Sequence, residues 1–277
     1  MIELSQIDRQ LLSKKDHLIL DYLLKSSPNV YYESSEAIAK KISVSNATIS
    51  RFWKKIGFKN IRHFQKTMLQ QTGQTPASKV RTTLEKMKET DSNVQNVFLK
   101  NIESIEHTLF QLTDEAIEAA AELFLYHDRI YVFAPDASLG IAYILRYRLK
   151  RLNIEFILID GGSAIYETIN NFEPTDLVIV FSYGRVLAET DIIFSEKERI
   201  NFDLILFTDL LSMHLHYQCQ AFLYSHRGDP TEYHSMTAPM SVVDALILEI
   251  ASHSEHSLEH LEKLSTLRAN YQNLIKR

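Results

Sequence analysis

The stretch AIAKKISVSNATISRFWKKIGF, residues 37–58, contains two short helical patterns separated by a tight turn at residues 43–45. In the first pattern, Ile38 and Ile42 lie four residues apart and therefore share one face. In the second, apolar residues recur at i, i+3, i+4 and i+7, which is the spacing of a buried helical stripe. These residues are Ile49, Phe52, Trp53 and Ile56. Gly57 then ends the helix.

The opposite face of the second helix is polar and basic. Asn and Arg side chains pair with base edges in the major groove, Ser and Thr reach bases or phosphates, and Lys neutralises phosphate. Two short helices joined by a tight turn, with an outward face of this kind, are typical of a helix-turn-helix. A preceding helix over residues 13–24 would complete a three-helix unit. The residues that we expect to contact DNA are Ser45, Asn46, Thr48, Ser50, Arg51, Lys54, Lys55 and Lys59.

Charge is distributed unevenly along the chain. The net charge of the whole chain is −5, but residues 1–77 carry 12 Lys and Arg against 6 Asp and Glu, and the remainder carries −11. Between residues 37 and 66 there are eight basic residues and no acidic one. A patch of this sign attracts phosphate, which favours nucleic-acid binding over a merely solvated helical surface.

The composition excludes several classes of protein. Hydrophobic residues make up 45% of the 277 residues, and the chain has only 7 Gly and 6 Pro, so it is not disordered or of low complexity. A single cysteine, Cys219, excludes an intramolecular disulfide framework and a cysteine zinc finger. With no apolar run of membrane-spanning length and no signal pattern at the start, we expect a cytoplasmic protein without a membrane partner. We expect no cofactor and no metal.

The pattern changes after the basic segment. Residues 72–83 are polar and contain Gly73 and Pro76, as linkers do, so we place a helix-turn-helix domain at residues 1–77, a linker at 78–93 and a second domain at 94–277. In the second domain, short apolar runs and helical patterns follow one another. This predicts an α/β domain with a doubly wound, five-stranded parallel sheet beside the all-α N-terminal domain. The predicted strands are residues 130–134, 154–159, 177–181, 204–207 and 221–224.

Ligands of doubly wound sheets bind at the carboxyl ends of the strands. Hydroxyl groups follow the first and third predicted strands there, and hydroxyls beside helix N-termini suit an anion, although such residues also serve as helix caps. Arg185 would supply a countercharge through its forked guanidinium. The predicted effector-binding residues are Ser138, Ser182, Tyr183, Gly184 and Arg185.

These features together resemble a known family. Residues 44–52, VSNATISRF, and residues 55–59, KIGFK, are very like the DNA-binding signature of the RpiR/MurR family of bacterial transcriptional regulators. The second half resembles a SIS (sugar isomerase) domain, a phosphosugar-binding fold, in the order and spacing of its strands. The resemblance covers about residues 5–250 and implies a regulator that binds double-stranded operator DNA. It also implies a small-molecule effector, with a sugar phosphate as the candidate.

Both effector loops depart from the pattern of that family. A first loop that resembles Gly-x-Gly-x-Ser in the family reads APDAS at residues 134–138, and a second loop that resembles Ser-x-Ser-Gly-x-Thr reads SYGRV at residues 182–186. Two hydroxyl donors are therefore missing, and Asp136 adds a carboxylate that repels an anion. These departures leave open a regulator whose SIS-like domain dimerises without binding a ligand.

An enzyme is the other alternative. His226, Asp229, Glu232 and His234 cluster after the fifth predicted strand, near the region where SIS isomerases place acid–base residues, so a sugar-phosphate isomerase-like activity is conceivable. Spacing does not identify a paired acid and base among them, and the basic segment favours a regulator that is not an enzyme.

Helix-turn-helix proteins of this size generally need two copies to cover two half-sites of DNA. Apolar helical faces around residues 97–109 and 258–274 offer more surface than one sheet domain needs. We therefore expect a homodimer with twofold symmetry, held by the C-terminal part of the chain.

Overall fold

The computed structural model describes residues 12–25, 34–64, 75–87, 92–211, 213, 218–272 and 274–275. The chain divides into two compact units. The first consists of Met1–Lys86 together with Pro230–Tyr233, and the second of Met87–Asp229 together with His234–Arg277. Within the described ranges, no helix is both long enough and apolar enough to cross a membrane.

Three helices form the basic part of the first unit: α1 (Lys14–Lys25), α2 (Ser35–Lys41) and α3 (Asn46–Lys55). The hydroxyl of Ser45 caps α3 by accepting the backbone N–H of Thr48 at 3.2 Å. The predicted apolar stripe of α3 is buried, and the Trp53 ring stacks on Phe64 with 4.7 Å between the ring centroids. This arrangement confirms the predicted helix-turn-helix.

A fourth helix, α4 (Pro76–Met87), runs through part of the segment predicted as a linker. It is attached to a loop from late in the chain: the backbone N–H of Tyr233 donates to the Thr83 hydroxyl at 2.8 Å, and Lys86 forms an ion pair with Glu232. These contacts lie within the first unit. The domain limits at residues 77, 78–93 and 94 remain a prediction.

The second unit is built around a parallel sheet. In its described part, the strands pair in the order β2-β1-β3-β4-β5, and every pair is parallel. The strands are β1 (Ile130–Phe133), β2 (Ile157–Leu158), β3 (Leu177–Ser182), β4 (Asp203–Thr208) and β5 (Ala221–Tyr224). The helices are α5 (Asn93–Gln111), α6 (Asp114–Tyr126), α7 (Ser138–Arg151), α8 (Ile165–Ile169), α9 (Ala188–Ile200), α10 (Thr237–Ser252) and α11 (Glu255–Asn270).

Helices cover both faces of the sheet. Alternate residues of each central strand point to opposite sides, and each side buries its own apolar core. Helices α6, α7 and α10 contribute to one core, and α8 and α9 to the other. The predicted doubly wound α/β fold is therefore confirmed.

The strand order fixes where a ligand can enter. The chain leaves β1 for α7 on one face of the sheet and leaves β3 for α9 on the other face. Because β1 and β3 are neighbours, the two loops that follow them diverge and leave a crevice between them at the carboxyl edge. The predicted effector residues follow these two strands.

An ion pair with a buried carboxylate supports the opposite, amino-terminal edge of the sheet. The Asp176 carboxylate is fully buried and accepts Arg129 Nη2 at 2.9 Å and the backbone N–H of Glu173 at 2.7 Å. We expect Asp176→Ala to lower the free energy of unfolding by about 2–4 kcal/mol, because both donors lose a charged acceptor. Urea denaturation followed by circular dichroism measures this loss.

The matched control is Glu196→Ala, which removes the carboxylate of the exposed Arg199–Glu196 pair. Its expected cost is below about 1 kcal/mol, since water replaces the lost contact. Equal losses in the two variants would contradict the role given to the burial of Asp176.

Candidate functional site

Helix α3 presents a polar and basic surface. Of the predicted DNA-binding residues, all but Thr48 are exposed: Ser45, Asn46, Ser50, Arg51, Lys54, Lys55 and Lys59. The Arg51 side chain folds along the helix, and its Nε–H donates to the carbonyl oxygen of Ala47 at 3.3 Å. The rest of the guanidinium remains available for a forked contact with a base or a phosphate.

The expectation that Thr48 faces outward is wrong. Its exposed fraction is only 8%, and its hydroxyl lies 2.8 Å from the hydroxyl of Ser45. Both side chains therefore belong to the N-terminal cap of α3. There they hydrogen-bond to each other, and the cap accepts a backbone N–H of the first turn. The cap leaves Thr48 without a surface to present to DNA.

Lys55 is exposed but already has an anionic partner. Its Nζ lies 2.8 Å from Asp16 Oδ2, and the same carboxylate accepts the backbone N–H of Ser13 at 2.9 Å. Burial raises the pKa of Asp16, but the hydrogen bonds from Lys55 and Ser13 outweigh that effect, so the pKa lies below its usual value. Lys55 is thus a tether between α1 and α3, whereas Lys54 projects freely from the same turn.

The second candidate site is a cleft at the carboxyl edge of the sheet, in the second unit. It follows strands β1 and β3 and is a small cleft that opens to solvent. Four of the five predicted effector residues line it: Ser138, Ser182, Tyr183 and Arg185. The fifth, Gly184, joins two of these in the chain. The remaining lining residues are Pro135, Asp136, Ala137, Leu187 and Arg227.

The two serines of the cleft offer mainly their side-chain hydroxyls to a ligand, whereas many phosphate sites also use free backbone N–H groups. The Ser138 hydroxyl has no hydrogen-bond partner among the described residues, so it is available to a ligand. Its backbone N–H donates to the Pro135 carbonyl oxygen at 3.1 Å and is therefore already engaged. The Ser182 hydroxyl is held only by a long 3.5 Å contact to the Arg185 carbonyl. The cleft therefore offers hydroxyls more readily than helix N-terminal amides.

Two arginines line the cleft and differ in burial and in ion pairing. Arg185 is exposed, and no carboxylate in the described part of the chain pairs with it. Arg227 is buried, and its Nε donates to Asp209 Oδ2 at 2.8 Å. Sequence reasoning missed Arg227, although it lies two residues before Asp229 in a loop that we examined for acid–base groups. Its position directly after the predicted fifth strand could have identified it as a residue at the carboxyl edge of the sheet.

Arg227 also covers Tyr183. The guanidinium carbon lies 4.7 Å from the centroid of the Tyr183 ring, and the Tyr183 hydroxyl lies 2.9 Å from the hydroxyl of Ser225. Burial is the largest influence on the Tyr183 phenol and raises its pKa well above the usual value. The ring therefore stays neutral at physiological pH and forms a fixed wall of the cleft.

The acid–base candidates of the enzyme alternative do not line this cleft. Glu232 pairs with Lys86, and the backbone N–H of His226 donates to the Thr108 hydroxyl of α5 at 2.8 Å. Asp229 and His234 are likewise outside the lining. None of these four residues is among the described residues that line the cleft.

Comparison with known proteins agrees with this architecture. Residues 1–76 match the family model of the helix-turn-helix domain of the rpiR family. The HTH-type transcriptional regulator HexR of Escherichia coli is 22% identical over 183 residues, which cover 66% of this chain and 63% of HexR. The chain spans just under two thirds of the length of the first curated relatives that it matches.

Two solved structures extend the comparison to the second unit. The sugar isomerase domain of an RpiR transcription factor from Sphaerobacter thermophilus is 28% identical, with a TM-score of 0.57, and covers 63% of this chain and 98% of that one. The Vibrio vulnificus NanR protein, solved in complex with ManNAc-6P, is 15% identical, with a TM-score of 0.60, and covers 99% of this chain and 98% of its own. The latter likeness concerns the fold.

The fold and its two candidate sites define a class of protein: a helix-turn-helix domain joined to a domain of the sugar isomerase type. Residues 1–76 form a helix-turn-helix domain of the rpiR family, and the second unit is similar to the sugar isomerase domain of an RpiR transcription factor.

Proposed function

We propose that this protein is a transcriptional regulator that binds operator DNA through α3 and responds to a small anionic effector. The exposed basic face of α3, in a domain of the rpiR helix-turn-helix family, carries the proposal. Asn46, Ser50 and Arg51 reach base edges, and Lys54 and Lys59 neutralise phosphates. A protein with this role acts in the cytoplasm, where bacterial DNA lies, and it need not catalyse a reaction.

The effector that best fits the cleft is a sugar phosphate. Arg185 supplies an uncompensated positive charge, and the hydroxyls of Ser138 and Ser182 donate hydrogen bonds to phosphoryl or sugar oxygens. Tyr183, held by Arg227 and Ser225, forms a wall of the cleft beside these groups. The NanR structure with ManNAc-6P supports this class of ligand, because that protein shares the fold of the present chain.

A second copy of the chain is the partner that we propose for the apolar surface of α5. Among the residues exposed on this helix are Val97, Phe98, Ile102 and Leu109, with exposed fractions between 45% and 74%. Exposed apolar residues that recur along one helix mark an interaction surface, and a twofold operator requires two copies. Effector binding then acts on DNA by favouring one spacing of the two helix-turn-helix domains.

The first prediction concerns base recognition. We expect Arg51→Ala to lower the affinity for the operator by about 1–3 kcal/mol, with a smaller loss on a scrambled duplex, since a bidentate contact to a base is removed. An operator selected from random duplexes and a mobility-shift titration measure both affinities. Undiminished binding of the operator by this variant would overturn the role of Arg51.

Lys54 and Lys55 provide a matched control for the phosphate contacts. Lys54→Ala should weaken binding to both duplexes alike and reduce the slope of log K against log salt by about 1. Lys55→Ala should change the slope less, because Asp16 already neutralises that ammonium group. Equal changes in the two slopes would show that DNA displaces Asp16.

The second prediction concerns the effector. Some member of a panel of sugar phosphates should raise the melting temperature, since a ligand at 100 times its dissociation constant adds about 2.7 kcal/mol of stability. Arg185→Ala should abolish this shift and leave DNA binding intact, because Arg185 lies in the second unit. If millimolar sugar phosphates leave the melting temperature unchanged, the sensing part of the proposal fails and the non-binding dimerisation module is favoured.

The third prediction concerns assembly. Analytical ultracentrifugation of the full chain should show a dimer at micromolar concentration, and Phe98→Asp should shift it toward the monomer by placing a charge in the apolar interface. Tyr166→Asp is the control, since this exposed aromatic residue belongs to α8, on the other face of the sheet. A monomeric parent, or equal dissociation of both variants, would contradict the proposed interface.

A further inference from the structure

The carboxylate of Asp209 occupies the position that an anion would take beside the cleft. Its Oδ1 accepts the backbone N–H of Gly184 at 2.7 Å, and its Oδ2 accepts Nε of Arg227 at 2.8 Å and lies 2.8 Å from Nη2 of the same guanidinium. A backbone N–H and a forked guanidinium are the two kinds of donor with which proteins hold phosphate. Here both are already engaged by a side chain of the protein itself.

The geometry around Gly184 keeps these donors together. Gly184 has a φ of 75°, and a Cβ at this position would lie 3.0 Å from Nη2 of Arg227. Glycine adopts this left-handed backbone without strain and leaves room for the close approach of the guanidinium. Asp209 and Arg227 are largely buried, with side-chain exposures of 13% and 9%, so water screens their attraction only in part.

The ion pair also determines which charges the cleft presents. Arg227 lines the cleft but is neutralised by Asp209, so Arg185 and the exposed Asp136 are the lining charges without a partner in the described part of the chain. A ligand anion that contacts only Arg185 meets the opposing charge of Asp136 nearby. A ligand anion that also engages Arg227 must compete with Asp209 for it.

We propose that Asp209 is an internal competitor for the effector, and that an anionic group enters the cleft by displacing this carboxylate from Gly184 and Arg227. This inference rests on the proposed function of the cleft. Because Asp209 is tethered beside its partners, it acts as an anion at high effective concentration. Only a group with more charge and more acceptor oxygens than a carboxylate prevails, so the residue selects phosphoryl dianions and rejects small monoanions.

The test titrates the full chain with inorganic phosphate and, separately, with acetate, by calorimetry. In Asp209→Asn the carbamoyl group no longer neutralises Arg227, and we expect phosphate to bind about tenfold tighter or better than to the parent. Acetate should gain as well, since a monoanion no longer faces a charged competitor. Asp160→Asn is the matched control, because it removes the same charge from an exposed side chain that is not part of the cleft lining and should change the phosphate affinity much less.

A purely structural role for Asp209 predicts the opposite sign. If the carboxylate only holds Arg227 in place, Asp209→Asn binds phosphate no better than the parent or more weakly, and the inference is overturned. Equal gains in Asp209→Asn and Asp160→Asn would overturn it too, since net charge alone would then explain the effect.

A second measurement needs no variant. The chain has 7 glycines, so selective ¹⁵N-glycine labelling gives a simple amide spectrum in which Gly184 can be followed. Displacement of Asp209 changes the hydrogen bond of that N–H, so phosphate should shift the Gly184 resonance more than those of glycines outside the cleft. An unmoved Gly184 resonance at saturating phosphate would refute displacement.

The outcomes also separate this inference from the proposed function. If the parent binds a sugar phosphate but Asp209→Asn gains nothing, only the competitor role fails. If no sugar phosphate binds the parent while Asp209→Asn binds inorganic phosphate tightly, the competitor role stands and sugar-phosphate sensing by the natural chain fails.

Discussion

The reversal of winding direction between β1 and β3 is the constraint on which the second unit depends. A parallel strand must be followed by a crossover, and a crossover can cover only one face of the sheet at a time. The chain covers one face after β1 and the other after β3, and these strands are neighbours in the sheet. The diverging loops create the cleft without any specialised residue. Every side chain assigned to the effector then acquires its position from the ends of these strands.

Within that cleft, the balance of donors differs from a hydroxyl-rich phosphate site. The loops after β1 and β3 contribute Ser138 and Ser182, and the lining also includes the guanidinium groups of Arg185 and Arg227. Arginine brings a full charge and a fixed fork of donors, so a single residue compensates for several neutral contacts. When no ligand is bound, a buried guanidinium also needs an anionic partner. Asp209 is that partner for Arg227, whereas Arg185 is exposed to solvent.

Periodicity predicted most of the secondary structure because each element buries a face of its own. Strand β5 (Ala221–Tyr224) begins and ends where the apolar pattern placed it. The second predicted strand, residues 154–159, is reduced to Ile157–Leu158, since it lies at the edge of the sheet with one neighbour. The linker composition of residues 78–87 did not prevent helix formation, since Thr83 and Lys86 of α4 find partners in the loop Pro230–Tyr233.

The sequence by itself determined the class of fold, the basic outward face of α3 and the two loops that hold the candidate effector residues. Each of these depends on residues that are near one another in the chain, where the spacing between residues determines which face of a helix or strand they share. Only the tertiary structure decided which polar groups are free. Lys55 is paired with Asp16 from another helix, and Arg227 with Asp209 from the loop after a neighbouring strand. The two residues of such a pair are close in space but far apart in the sequence. No local sequence pattern therefore reveals which charged group remains unpaired and available to a ligand.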